Sequence, residues 1–194
     1  PMRRVPIFSF LVRWGTRFLH YNFIGALLND LFGVQTRGGC QCAGPYSQRL
    51  LGLSTEGNAK LEKCLLEDKA ELLRPGYSRF SLPYTLSPIE VEFILSAITF
   101  IAERGWLFLP LYRLNHKTGE VKHRSRATRF PERKWLSHFT LQWESGNRHT
   151  EPLPEILEQK KWSSLSDEQL KVKFDELLAS AIAAANKIEG SEVF

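Results

Sequence analysis

Apolar positions along this chain recur at two spacings, and each spacing predicts an element. "VPIFSFLV" (Val5 to Val12) is a dense apolar run behind basic residues and predicts a buried strand. Asn22 precedes "FIGALLNDLFG", where Phe23, Leu27 and Leu31 share a helical face and Gly33 is a natural residue beyond the end. "VQTR" predicts a short second strand that delivers the chain into a glycine-rich loop holding Cys40 and Cys42. "STEGNAKLEKCLLEDKAELLRPG" predicts a polar-faced helix stopped by Pro75-Gly76, with Cys64 as a small core residue. In "SRFSLPY" the alternation sends Phe80, Leu82 and Tyr84 one way and Arg79 and Ser81 the other.

The second half begins with the clearest helix, "LSPIEVEFILSAITFIAERG". Ser87 is its N-cap, Pro88 its first residue and Glu90 the third member of a capping box, with Ile94, Ile98 and Ile101 on one face. "WLFLPLYRL" predicts a strand, "NHKTGE" a polar turn, and "HFTLQW" a last strand. "LSDEQLKVKFDELLASAIAAANKIEG" closes the chain as an amphipathic helix. Its capping box is Ser166 with Gln169, and its apolar face carries Leu170, Phe174, Leu177, Ala181 and Ile188.

Strands and helices are mixed without regular βαβ alternation. The fold class expected is α/β: a two-layer sandwich with a small, mainly antiparallel sheet and helices on one face. Residues 1–113 form one unit, and residues 114–194 an extension packed on it: a basic segment, a strand and the final helix.

Composition adds limits. A chain of 194 residues, 43% hydrophobic and 24% charged, buries enough surface to need no disulfide or metal for stability. Three cysteines argue against a secreted disulfide framework and for a reducing compartment, hence a cytoplasmic protein. The net charge is +5, and no acidic residue precedes Asp30 while four Arg lie between Arg3 and Arg17. Such a start is also what organellar targeting looks like. No uninterrupted apolar run reaches the roughly 18 residues of a membrane span.

"QTRGGCQCAGPY" is the stretch with candidate chemistry. A thiolate nucleophile needs exposure and a positive setting, which the glycines and Arg37 offer. Zinc would need two Cys pairs or histidine partners at set spacing, and a bridge between Cys40 and Cys42 would close a strained ring. An inert glycine-rich loop is the remaining alternative.

Arg37-Gly38-Gly39-Cys40-Gln41-Cys42-Ala43-Gly44-Pro45 resembles the Arg-x-Gly-x-x-Cys-Ala-x-Pro loop of cysteine desulfurases and selenocysteine lyases, which are class V aminotransferase-fold enzymes. "SRFSLPYTLSPIEVEFILSAI" resembles the family's arginine-bearing strand and following helix. The resemblance runs from about Val5 to Arg113 and looks closest to a branch of class V aminotransferase-like proteins. It implies the small C-terminal domain of an enzyme that uses pyridoxal phosphate (PLP), a transferase or lyase acting on an amino acid. Cys42 then matches the catalytic cysteine, whose thiolate carries away substrate sulfur as a persulfide. Arg79 matches the residue that grips the α-carboxylate, and Arg37 a basic residue near the loop, so both are expected to bind substrate. At Cys40 and Gln41 the desulfurase pattern has histidines, and at Gln48 the nearer branch has one.

The resemblance further implies that PLP sits mainly on a large domain preceding the small one and absent from this chain. The chain alone is then expected to lack catalysis, and its assembly is either the family's homodimer or a monomer. His116-Lys117 looks like a cofactor lysine motif but follows the cysteine loop, so Lys117 reads as a solvated turn residue. No cofactor-binding or metal-ligating residue is expected here.

A second class of function rests on Arg113, Lys117, Lys122, Arg124, Arg126, Arg129, Arg133 and Lys134, offset by Glu120 and Glu132. A non-enzymatic binding module would use this run against nucleic acid or an acidic protein. Aromatic residues are sparse within it, so a solvated loop is the expectation and nucleic acid is not the expected partner.

Overall fold

The structure is a computed structural model that describes residues 5–125, 142–144, 147–149 and 165–191. Among these described residues it is mixed α/β, with five α-helices and small antiparallel sheets. The principal sheet has three strands: β1 (Ile7–Phe10) on one side, β5 (Tyr77–Ser81) in the middle and β4 (Arg37–Gly39) on the other. Hairpins make the rest: β2 (Arg13–Trp14) with β3 (Arg17–Phe18), β6 (Tyr112–Leu114) with β7 (Val121–His123), and β8 (Gln142–Glu144) with β9 (Asn147–His149).

The core is built around α1 (Tyr21–Phe32), where Phe23, Ile24, Leu27 and Leu28 are completely enclosed. Each such side chain is worth about 1.5–3 kcal/mol of apolar burial. Helix α4 (Pro88–Arg104) adds Phe93, Ala97, Phe100 and Ile101, and α5 (Asp167–Glu189) adds Ala181 and Ala185. Phe93 stacks on Phe174 of α5 at 4.1 Å between ring centres, and Phe32 meets Phe93 and Phe100 edge-on. Pro88–Leu111 is long and apolar enough, by length and composition, to cross a membrane. Here Phe93, Ala97, Phe100, Ile101, Leu107 and Phe108 from this stretch are core residues.

Several local expectations change. The Val5–Val12 run is a strand only from Ile7 to Phe10, and it is an edge: Val5, Ile7, Phe8 and Leu11 are exposed. Helix α1 starts one residue before Asn22, with His20 as N-cap, its imidazole Nδ1 accepting from the Asn22 N–H at 3.1 Å. Gly33 ends it in the left-handed conformation, as expected. The second strand begins at Arg37 rather than Val34, and Pro45 opens a short helix α2 (Gly44–Leu50) within the expected loop. Helix α3 (Thr55–Glu67) stops well before Pro75, and Cys64 is only half-buried on a helix that encloses no residue. Residues Gly105–Leu111 form a 3-10 helix, not a strand, and β5 ends before Tyr84, which is fully exposed. Both capping boxes form as expected, at Ser87 with Glu90 and at Ser166 with Gln169. Of "HFTLQW", residues 138–141 lie outside the described residues.

Candidate functional site

Two of the sequence-predicted residues, Arg37 and Cys42, meet at the outer strand β4, and the third, Arg79, stands on the central strand beside it. Arg37 begins β4, and its Cα partner across the ladder is Arg79 of β5. Directly opposed residues of an antiparallel pair send their side chains to one face, with Cβ atoms about 4.5–5.5 Å apart. Ser9 of β1 is the partner of Arg79 on the other side. A row Ser9–Arg79–Arg37 therefore crosses all three strands on one face. Phe8, Phe80 and Phe10 take the opposite face, where their rings pack on one another. Tyr77, on the Arg79 face by the same alternation, bonds through its hydroxyl to Ser47 of α2 at 3.2 Å.

Beyond β4 the chain turns sharply. Gly39 has φ +106°, a conformation open only to glycine at little cost. Gln41 and Cys42 follow with φ 56° and 61°, both left-handed and both carrying side chains. Non-glycine residues pay for this conformation and concentrate at functional sites. Around them the loop is tied down: the Ala43 N–H and the Ser47 hydroxyl both donate to the Cys40 carbonyl, at 3.0 and 2.8 Å. The Gln41 amide donates to the Arg37 carbonyl at 3.2 Å.

The outcome is an exposed thiol held beside a cation. Arg37 Nη2 donates to Cys42 Sγ at 3.3 Å. All three cysteines are free, and among the described residues no group of three His, Cys, Asp or Glu side chains is placed to hold a metal ion. Cys42 and Arg37 line a cleft of about 310 Å³ whose other walls come from distant segments: Tyr21 and Asn22 of α1, Glu71, Arg74 and the Gly119 turn. Arg79 lies on the face next to this cleft but does not line it.

The distant walls are the residues that sequence reasoning missed. Asn22 Nδ2 donates to the Gly119 carbonyl at 2.6 Å, and the Tyr21 hydroxyl to the Arg74 carbonyl at 3.1 Å. No local signal joins residues so far apart in the chain. Burial pushes the Tyr21 phenol above its ordinary range, and the nearby Arg74 charge only partly opposes this. The Glu71 carboxyl is lowered by direct hydrogen bonds from Arg74, both at 2.8 Å. That pair is solvent-exposed, so it adds little stability, but it occupies the one acid of the cleft. His20, whose ring packs on that of Tyr21, is lowered by burial, against a smaller opposing effect of the Leu72 backbone.

A larger groove, about 890 Å³, runs between α4 and α5, lined among others by Leu95, Leu178, Ile182, Glu92 and Glu103. It contains no cysteine or histidine, so size alone points away from the chemistry. Of the basic run, Arg113 and Lys122 face each other across β6 and β7, and Lys122 is paired with Glu120 at 2.8 Å. Lys117 sits in the turn between these strands, exposed, as expected. Arg126, Arg129, Arg133 and Lys134 lie outside the described residues. Comparison with protein-family models, with curated proteins and with solved structures finds no match.

Proposed function

We propose that the chain is the small domain, a two-layer sandwich, of a PLP-dependent transferase or lyase of the class V aminotransferase and cysteine desulfurase type. One juxtaposition carries the reading. An exposed cysteine in a strained left-handed loop accepts a hydrogen bond from Arg37, and Arg37 stands in register with Arg79. In this reading Arg79 grips the α-carboxylate of an amino acid, for which a planar guanidinium is the suited donor. Arg37 orients the Cys42 sulfur, and Cys42 is the nucleophile.

The cleft does not fit the cofactor itself. No lysine lines it, and its one acid, Glu71, is held by Arg74. PLP therefore belongs, in this reading, mainly to a large domain outside this chain, which supplies the electron-accepting ring. In this reading the chain's own residues bind the substrate and hold the thiol.

The test uses the protein made from its complete reading frame. It should show the visible absorbance of a PLP Schiff base. Arg79→Ala should raise KM for the amino acid at least about 10-fold, the loss of a charge-assisted hydrogen bond, with that absorbance unchanged. Cys42→Ala should abolish sulfur release. A complete protein with no such absorbance would overturn the proposal, and full sulfur release by the Cys42 variant would remove the nucleophile role.

A further inference from the structure

The residues from Arg13 to Phe18 leave the core together. Val12 and Leu19 on either side are buried, and the Leu19 N–H donates to the Val12 carbonyl at 2.9 Å. Between these anchors every residue is exposed. Gly15, with φ +58°, takes the first position of the two-residue turn Gly15-Thr16, where a left-handed conformation favours glycine. The hairpin β2–β3 is therefore pinned at its base and bare along its length.

It presents two arginines and two aromatic rings. Across the ladder Arg13 is the partner of Phe18, and Trp14 is the partner of Arg17. Arg13 Cζ lies over the Phe18 ring, 5.6 Å from its centre. Trp14 stacks on Trp106 at 6.0 Å between ring centres, with 18° between the planes. These contacts orient the rings but do not cover them: Trp14 remains 46% exposed and Phe18 52%. Apolar surface held in water this way is what a partner covers. Neither arginine has an acidic partner among the described residues, and no Asp or Glu precedes Asp30 in the sequence. The complementary partner is therefore anionic.

Two kinds of anionic surface accept aromatic side chains, and the pattern separates them. A membrane surface takes up an apolar face that is segregated from the charges. Here each ring stands directly opposite a guanidinium, and the tip is Gly15-Thr16. Rings interleaved with cations match a polymer in which flat bases alternate with phosphates. The basic run from Arg113 onward lacks this interleaving. Stacking on a side chain needs unpaired bases, so the polymer is single-stranded.

We propose that the β2–β3 hairpin is a binding site for single-stranded nucleic acid. Trp14 and Phe18 stack on bases, and Arg13 and Arg17 contact phosphates. The hairpin shares no residue with the Cys42 cleft, so it stands or falls apart from the function proposed above.

The test is the fluorescence anisotropy of a labelled oligothymidylate titrated with this chain at several salt concentrations. Trp14→Ala should weaken binding at least about fivefold, the loss of one stacked base, with the salt dependence unchanged. Arg17→Gln should lower the slope of log K against log salt by about 0.7, one phosphate contact on a single strand. The same strand annealed to its oligoadenylate complement should bind more weakly at equal salt. Parent-like binding by a folded Trp14→Ala variant overturns the site, because the attraction then comes from the chain's net charge of +5 alone. Equal binding of the duplex overturns the single-strand assignment. Binding to vesicles of phosphatidylserine and phosphatidylcholine that is lost in Trp14→Ala, without binding of the oligothymidylate, gives the hairpin to a membrane surface and overturns the proposal. The duplex arm needs no variant, so it decides even where Trp14→Ala fails to fold.

Discussion

Replacing Gly76 by alanine tests whether the sheet is what assembles the site. An ideal Cβ at Gly76 would lie 2.5 Å from the Gly39 Cα, 2.6 Å from the Gly39 carbonyl carbon and 2.8 Å from Tyr21 Cε1. Two of these are backbone atoms, which cannot swing aside. Gly39 must therefore retreat by about 1 Å to reach ordinary contact distance. The ladder it belongs to is only three pairs long, from Arg37↔Arg79 to Gly39↔Tyr77. Overpacking of this kind costs about 1–3 kcal/mol, and a lost ladder hydrogen bond about 0.5–1.5. The alanine returns about 0.4–1 kcal/mol by restricting the unfolded chain. The net expectation is a loss of about 2 kcal/mol, a sizeable part of the total stability of an ordinary domain. Equilibrium urea unfolding followed by far-ultraviolet circular dichroism measures it. Gly44→Ala is the control, because nothing lies within 4 Å of a Cβ there. It should be within about 0.5 kcal/mol of the parent. If Gly76→Ala proves as mild as Gly44→Ala, the close crossing of β4 and Gly76 is not a constraint on the fold.

Two further outcomes follow from the helix ends. His20 caps α1 only while Nδ1 is unprotonated, and its folded pKa is lowered from an ordinary 6.5. A depressed folded pKa means that stability is fully present above about 6.5 and is lost as pH falls through the folded value. Urea titrations from neutral to mildly acid pH should show a steeper loss in the parent than in His20→Asn, whose amide oxygen caps at any pH. Equal slopes would show that His20 does not couple the cap to pH. At α4, Ser87→Ala removes the bond to the Glu90 N–H, and the N-cap Ser is worth about 1 kcal/mol. The melting temperature should drop by about 2–4 °C, and no drop would mean that α4 is held by packing alone.

What could be read from the sequence was governed by the range of each signal. The boxes at Ser87 and Ser166 and the stop at Gly33 are complete within four residues, and all three form. The same is true of the Asn115–Glu120 turn. Helix α2 was missed because seven residues are too few to display a period. Gly105–Leu111 is apolar without alternation, and such a run does not distinguish a strand from a 3-10 helix packed in the core. The inner face of α4 was set by α1 and α5: Phe93, Ala97 and Phe100 turn inward, while Ile94 and Ile98 are only half-buried. Arg79 on the face away from the phenylalanines was legible from alternation alone. Its register with Arg37, and the walls supplied by Tyr21, Asn22 and Gly119, come from contacts that no local pattern encodes.

The outer strand β1 has a consequence for handling the protein. It presents an unpaired ladder edge among the described residues, flanked by exposed Val5, Ile7, Phe8 and Leu11. Charges, prolines and bulges are the usual guards of such an edge, and none interrupts Ile7–Phe10. Self-association of this chain in solution is therefore a question of dose. Dilute samples stay apart because their encounters are rare, whereas concentrated ones recruit one another edge to edge, at a rate rising with at least the square of the amount present.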